Sequence, residues 1–96
     1  MNWSPLAIDR LSEAAKYIAL DNPVAAKRWV NKVFDQVEKL LEFPERGRVV
    51  PEVGDKTIRE IISGNYRIIY RLKDREISIL TLRHVKQELS IEMLSK

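Results

Sequence analysis

The sequence predicts an α+β domain in which a helical hairpin packs on a small antiparallel sheet. Three observations carry this. Two Ser/Asn-Pro punctuations each precede a stretch with apolar residues at three- and four-residue spacing. Beyond residue 56 the apolar period changes from that of a helix to the alternation of strands. The turns between those strands are short, as in a meander.

Ser4-Pro5 opens the first helix. Ser caps orphan N–H groups, and Pro at the first helical position forfeits no bond. Leu6, Ile8, Leu11, Ala14, Ala15, Ile18 and Ala19 then mark an amphipathic helix over residues 5–20. Asn22-Pro23 repeats the device. The second helix carries Ala26, Trp29, Val30, Val33, Phe34, Val37, Leu40 and Leu41 and ends at Phe43-Pro44, because a residue before Pro is pushed from helical geometry. The short link makes the two helices an antiparallel hairpin, with Trp29 and Phe34 expected in its core. A loop punctuated by Pro51 and Gly54 runs to about Lys56.

Strands follow at 57–63, 65–72 and 76–82. In the second, Tyr66, Ile68, Tyr70 and Leu72 alternate with Arg67, Ile69, Arg71 and Lys73. The tyrosine side suits the face under the helices, leaving Arg67 and Arg71 on an open face. In the third, Ile77, Ile79 and Thr81 oppose Ser78, Leu80 and Leu82. The tail from Lys86 to Leu94, with Leu89, Ile91, Met93 and Leu94, is a candidate short helix.

Composition removes several classes of function. The 96 residues fit one domain, 1–96. With no Cys there is no disulfide framework, thiolate metal site or thiol nucleophile, and one His makes no zinc cluster. No cofactor and no metal are implied by any motif in the sequence. No apolar run approaches the roughly 18 residues of a membrane span. Residues 1–10 lack the basic start and apolar stretch of a secretion signal, so a cytoplasmic protein without membrane contact is expected. The net charge of +3 is uneven. Residues 1–47 hold seven basic and seven acidic side chains, whereas residues 48–96 hold ten and seven. A basic second half points to a polyanion or an acidic protein partner.

Several segments, in order, resemble the RelE/ParE toxin superfamily. They are Trp3-Ser4-Pro5-Leu6-Ala7, Tyr17-Ile18-Ala19, Asp21-Asn22-Pro23, Ala25-Ala26, Pro44 with Gly47-Arg48 and Pro51-Glu52, Arg59-Glu60-Ile61, Gly64 to Arg71, and Leu82-Arg83-His84. The resemblance spans nearly the whole chain. It implies a short first strand, a helical hairpin and a meander, with only Asn2-Trp3 available here for that first strand. It also implies the toxin of a bacterial type II toxin–antitoxin pair, held in a hetero-oligomer by a cognate antitoxin. Two targets occur in the superfamily. ParE-like toxins poison DNA gyrase and are not known as enzymes; RelE-like toxins cut mRNA on the ribosome without a metal.

Cutting RNA through its 2′-OH needs a proton acceptor, a proton donor and cations at the phosphate. Arg67 matches the family's phosphate-facing strand arginine, and its alternative role is pairing with Glu60 or Glu76. Histidine is the residue type suited to proton transfer near neutral pH, and Lys86 stands close to His84, so Arg67, His84 and Lys86 form the candidate catalytic set of a RelE-like toxin. Arg48, Arg59, Arg71 and Arg83 are the candidate target-binding residues. Glu60 would oppose phosphate, and residues 83–96 contain no Tyr, whereas RelE-like tails carry one. These departures favour the ParE-like reading. A degenerate toxin that retains only antitoxin binding is the third alternative.

Overall fold

The computed structural model describes residues 1–86. The elements are β1 (Asn2–Trp3), α1 (Pro5–Asp21), α2 (Pro23–Lys39), β2 (Arg48–Val49), β3 (Ile58–Ser63), β4 (Tyr66–Lys73) and β5 (Glu76–His84). The α+β class and its element order agree with the sequence. The helix expected within residues 86–94 lies, save for Lys86, outside the described residues.

Both helix starts follow from their caps. The Ser4 hydroxyl accepts the Ala7 N–H, and the Asn22 side chain accepts the Ala25 N–H, each at 3.0 Å. Asn22 also closes α1, its N–H donating to the Ile18 carbonyl. One residue therefore ends one helix and begins the next, which folds the pair back into a hairpin. α2 stops at Lys39, two residues before the apolar stripe ends; Leu40 is fully buried in the turn beyond it, and Leu41 is exposed. Apolar periodicity reports the buried face, and that face continues past the last helical hydrogen bond.

The sheet is five-stranded, in the order β1-β5-β4-β3-β2, rather than a three-stranded meander. The expected antiparallel β3–β4–β5 forms its centre. β1 adds in parallel to β5, and β2, read from sequence as loop, adds antiparallel to β3. A two-residue strand leaves no alternation to detect.

The helices cover one face as expected: Ile68, Tyr70, Ile77, Ile79 and Leu82 pack with Ala7, Leu11, Trp29, Val33 and Val37. Leu82 reaches that face through a register shift. Tyr70 pairs with Ile79 but Ile69 pairs with Thr81, so Leu80 is an extra residue on β5. The expected pairing of Leu82 with Leu80 on one side is thereby broken, and Leu80 packs on the far face. Ser4 locks this bulge: its N–H donates to the Ile79 carbonyl, and its hydroxyl donates to the Leu80 carbonyl at 2.7 Å. Phe34, expected in the core, is 45% exposed and sets its ring 5.5 Å from that of Trp3.

The far face is not open. Residues 50–57 fold over it, and Val50 and Val53 pack with Ile58, Ile69 and Leu80 in a second, smaller core. Asp55 shapes this loop by accepting the N–H and hydroxyl of Thr57, both at 2.8 Å. These bonds hold its carboxyl below the ordinary value. No helix among the described residues is long and apolar enough to cross a membrane.

Tyr70 ties the loop after α2 to the sheet. Its hydroxyl donates to the Pro44 carbonyl at 2.7 Å and accepts the Gly47 N–H at 2.9 Å. A Cβ on Gly47 would lie 2.5 Å from that hydroxyl and 2.7 Å from the Glu60 carbonyl oxygen, so only glycine permits the approach. Gly47→Ala is expected to cost about 1–3 kcal/mol in denaturant unfolding, as overpacking does. In combination with Tyr70→Phe the cost should fall short of the sum of the two, because one clashing atom has gone. Burial raises the Tyr70 pKa above 10.0. Below pH 10 the phenol is neutral in both states and stability is intact. As pH rises past 10 the unfolded chain ionises first, so stability falls until the folded phenol also ionises. Tyr70→Phe should flatten this alkaline limb in thermal unfolding across pH.

Candidate functional site

The far face carries a buried chain of charges. β3 places Glu60 and β4 places Arg67 on that face, with β2 beside them. The Glu60 side chain has no solvent exposure. One of its oxygens accepts from Arg67 Nε and the other from Arg48 Nε, each at 2.5 Å. Arg67, 7% exposed, also directs both terminal nitrogens at the Glu52 carboxylate, at 2.6 and 2.9 Å. The Glu52 bonds chiefly, with Glu60 assisting, hold the guanidinium pKa above its already high ordinary value. A charge this deep is tolerated because each of its three nitrogens donates to a carboxylate.

This placement corrects the expected exposure of Arg67. The residue faces away from the helices, but it is buried beneath the loop and engaged by two carboxylates. Glu60 is indeed its ion-pair partner, set diagonally on the neighbouring strand, with Ile62 directly opposite. Glu52 was not legible, because it lies in a loop without periodicity and reaches Arg67 only once that loop has folded back.

The remaining candidates scatter. Tyr66 pairs with His84 while Arg67 pairs with Arg83. Strand pleating therefore puts His84 on the helix face with Tyr66, and Arg67 on the opposite face with Arg83. His84 sets its ring edge-on to Tyr66 with centroids 5.5 Å apart. Its Nδ1 accepts the backbone N–H of Lys86 at 3.2 Å, and Lys86 is exposed just past the strand. The expected set of Arg67, His84 and Lys86 is thus split by the sheet. Of the target-binding candidates, Arg48 is 65% exposed despite its Glu60 bond. Arg59 donates to the Gly47 carbonyl at 2.8 Å and serves the loop. Arg71 is half-buried, on the Arg67 face beside Asp55. Arg83 is half-buried across from Arg67.

His84 and Tyr66 instead border a recess of about 520 Å³ between α1 and β5, with Arg10, Glu13 and Tyr17 on its helical wall. Tyr17 is 70% exposed there. Desolvation raises the Tyr66 pKa, with nearby Tyr17 adding to it. Among the described residues no group of three acidic or imidazole side chains is disposed to hold a metal ion.

Comparison with known proteins places this architecture. Residues 1–89 match the family model described as the ParE toxin of the type II toxin-antitoxin system parDE. The chain is 36% identical over 90 residues to a Sinorhizobium fredii protein named "Putative toxin Y4kP", covering 92% of this chain and 90% of that one. It is 31% identical over 83 residues to Toxin RelE2 of Caulobacter vibrioides, covering 85% and 90%. A chain of the chromosomal ParDE TA system from P. aeruginosa superposes with a TM-score of 0.69 at 23% identity, covering 86% of this chain and 91% of that one, which shows a shared fold.

The ion chain makes a test of its own. Glu60→Ala leaves Arg67 buried with half its partners and should cost about 3–5 kcal/mol in chemical denaturation. Replacing the pair together, Glu60→Leu with Arg67→Met, should cost distinctly less, because no unpaired charge then stays in the interior.

Proposed function

The chain belongs to the ParE toxin family of type II toxin–antitoxin systems, and we propose that it arrests growth by poisoning DNA gyrase rather than by cutting mRNA. A cognate antitoxin holds it inactive in the cytoplasm. The reading rests on one observation: Arg67 and His84 point to opposite sides of the sheet. General acid–base cleavage needs its proton carriers and its phosphate cation within reach of one phosphodiester. Arg67 is moreover covered by Glu52 and Glu60, whose negative charges repel phosphate. A protein that works by binding needs no such convergence.

The test is induction of the toxin without its antitoxin, scored in parallel for DNA-damage response and for mRNA cleavage by primer extension. Purified gyrase is assayed for supercoiling with added protein. Expected are DNA damage, loss of supercoiling, intact mRNA, and toxicity that survives His84→Ala. Cuts in mRNA that disappear in His84→Ala would establish the RelE-like alternative. Unimpeded growth would leave a protein that only binds its antitoxin.

A further inference from the structure

One strand edge is left unfinished. In the β3–β4 ladder Ile62 opposes Arg67 as a non-hydrogen-bonded pair, because the Ile58–Val50 and Glu60–Arg48 pairings on the other side fix which residues turn outward. The N–H and C=O of Ile62 therefore point away from the sheet, toward where β2 would continue. β2 does not continue. Tyr70 and Arg59 hold Gly47 by its N–H and carbonyl, which draws the preceding residues off that line.

The Gln36 side chain of α2 stands in the gap. Its Nε2 donates to the Ile62 carbonyl at 3.1 Å. Its Oε1 is buried and accepts no hydrogen bond. A side-chain amide has the groups of one peptide unit, so Gln36 acts as a single-peptide stand-in for a strand and satisfies half of the edge. Around it lies a recess of about 300 Å³ bordered by Arg46, Arg48 and Glu60, whose carboxylate is already engaged by Arg48 and Arg67. Ile62 is 46% exposed at its rim.

We propose that the β3 edge at Ile62 is a docking site for an extended, acidic peptide segment, which adds as a strand in place of Gln36. Main-chain bonds to Ile62 provide affinity, an apolar side chain meets Ile62, and carboxylates meet Arg46 and Arg48. The inference rests on the antitoxin reading, since the antitoxin is the partner that would supply such a segment.

The experiment uses the full chain and its cognate antitoxin, with affinity measured by titration. Ile62→Pro removes only an outward N–H, which an edge position tolerates. It should weaken binding about tenfold, the worth of one or two main-chain bonds. Ile62→Val keeps both the N–H and the apolar contact and should stay within about twofold of wild type on the same scale. Gln36→Ala vacates the edge and should tighten binding, a direction that mere loss of structure cannot produce. In the wild type, the Ile62 amide should gain protection from hydrogen exchange on complex formation, which tests the proposal even if Ile62→Pro unfolds. A complex that forms equally tightly with Ile62→Pro, or leaves the Ile62 amide unprotected, overturns the inference and spares the antitoxin reading. Absence of any complex with wild type overturns both.

Discussion

The Glu60 carboxylate is the constraint around which the far half of the molecule is arranged. A carboxylate without solvent contact persists only when it is paired, and here each oxygen meets a different arginine. Arg67 brings β4 to it and Arg48 brings β2. Arg67 then recruits Glu52, which fastens the loop over Val50, Val53 and Ile69. The second core is thus closed by charge at one end and by apolar contact at the other. Arg48 remains largely in water and adds little by Coulomb attraction. Its importance is geometric, because it occupies an oxygen that would otherwise be stranded.

This constraint also separates the two faces by chemistry. On the helix face aromatic and aliphatic groups dominate, with Trp29 packing 5.0 Å from Tyr66 and donating its indole N–H to the Ser63 carbonyl. On the far face Arg67, the cation that looks catalytic in sequence, is neutralised by Glu52 and Glu60. Of the second half's cations, the exposed Lys56, Lys73, Arg75 and Lys86 lie in the turns and at strand ends rather than at the centre of the sheet.

What the sequence disclosed follows from the range of each interaction. Ser4-Pro5 and Asn22-Pro23 act within four residues, so both helix starts could be read directly. The alternation of Tyr66, Ile68 and Tyr70 identified the covered face, because pleating is also local. β2, the Leu80 bulge and the Glu52 contact depend on segments that meet only in the folded chain, and none leaves a periodic trace. His84 and Arg67 could be named as chemically able side chains. That they lie on opposite faces follows from the register of β4 against β5, which the bulge and the turn determine together. The family segments identified the class of protein without settling the target, since they report a scaffold that supports more than one action.

Ser4 has a consequence in time. Its hydroxyl joins the first turn of α1 to a carbonyl 76 positions later in the chain. During synthesis the helical hairpin emerges early, but β1 and the Ser4 lock must wait for β5, the last described strand. Until then only β3 and β4 are there to cover the apolar side of the hairpin. Closing so long a loop comes late in folding, since its entropy is lost before the contact is gained. The protein therefore acquires its finished shape only once β5 has been made.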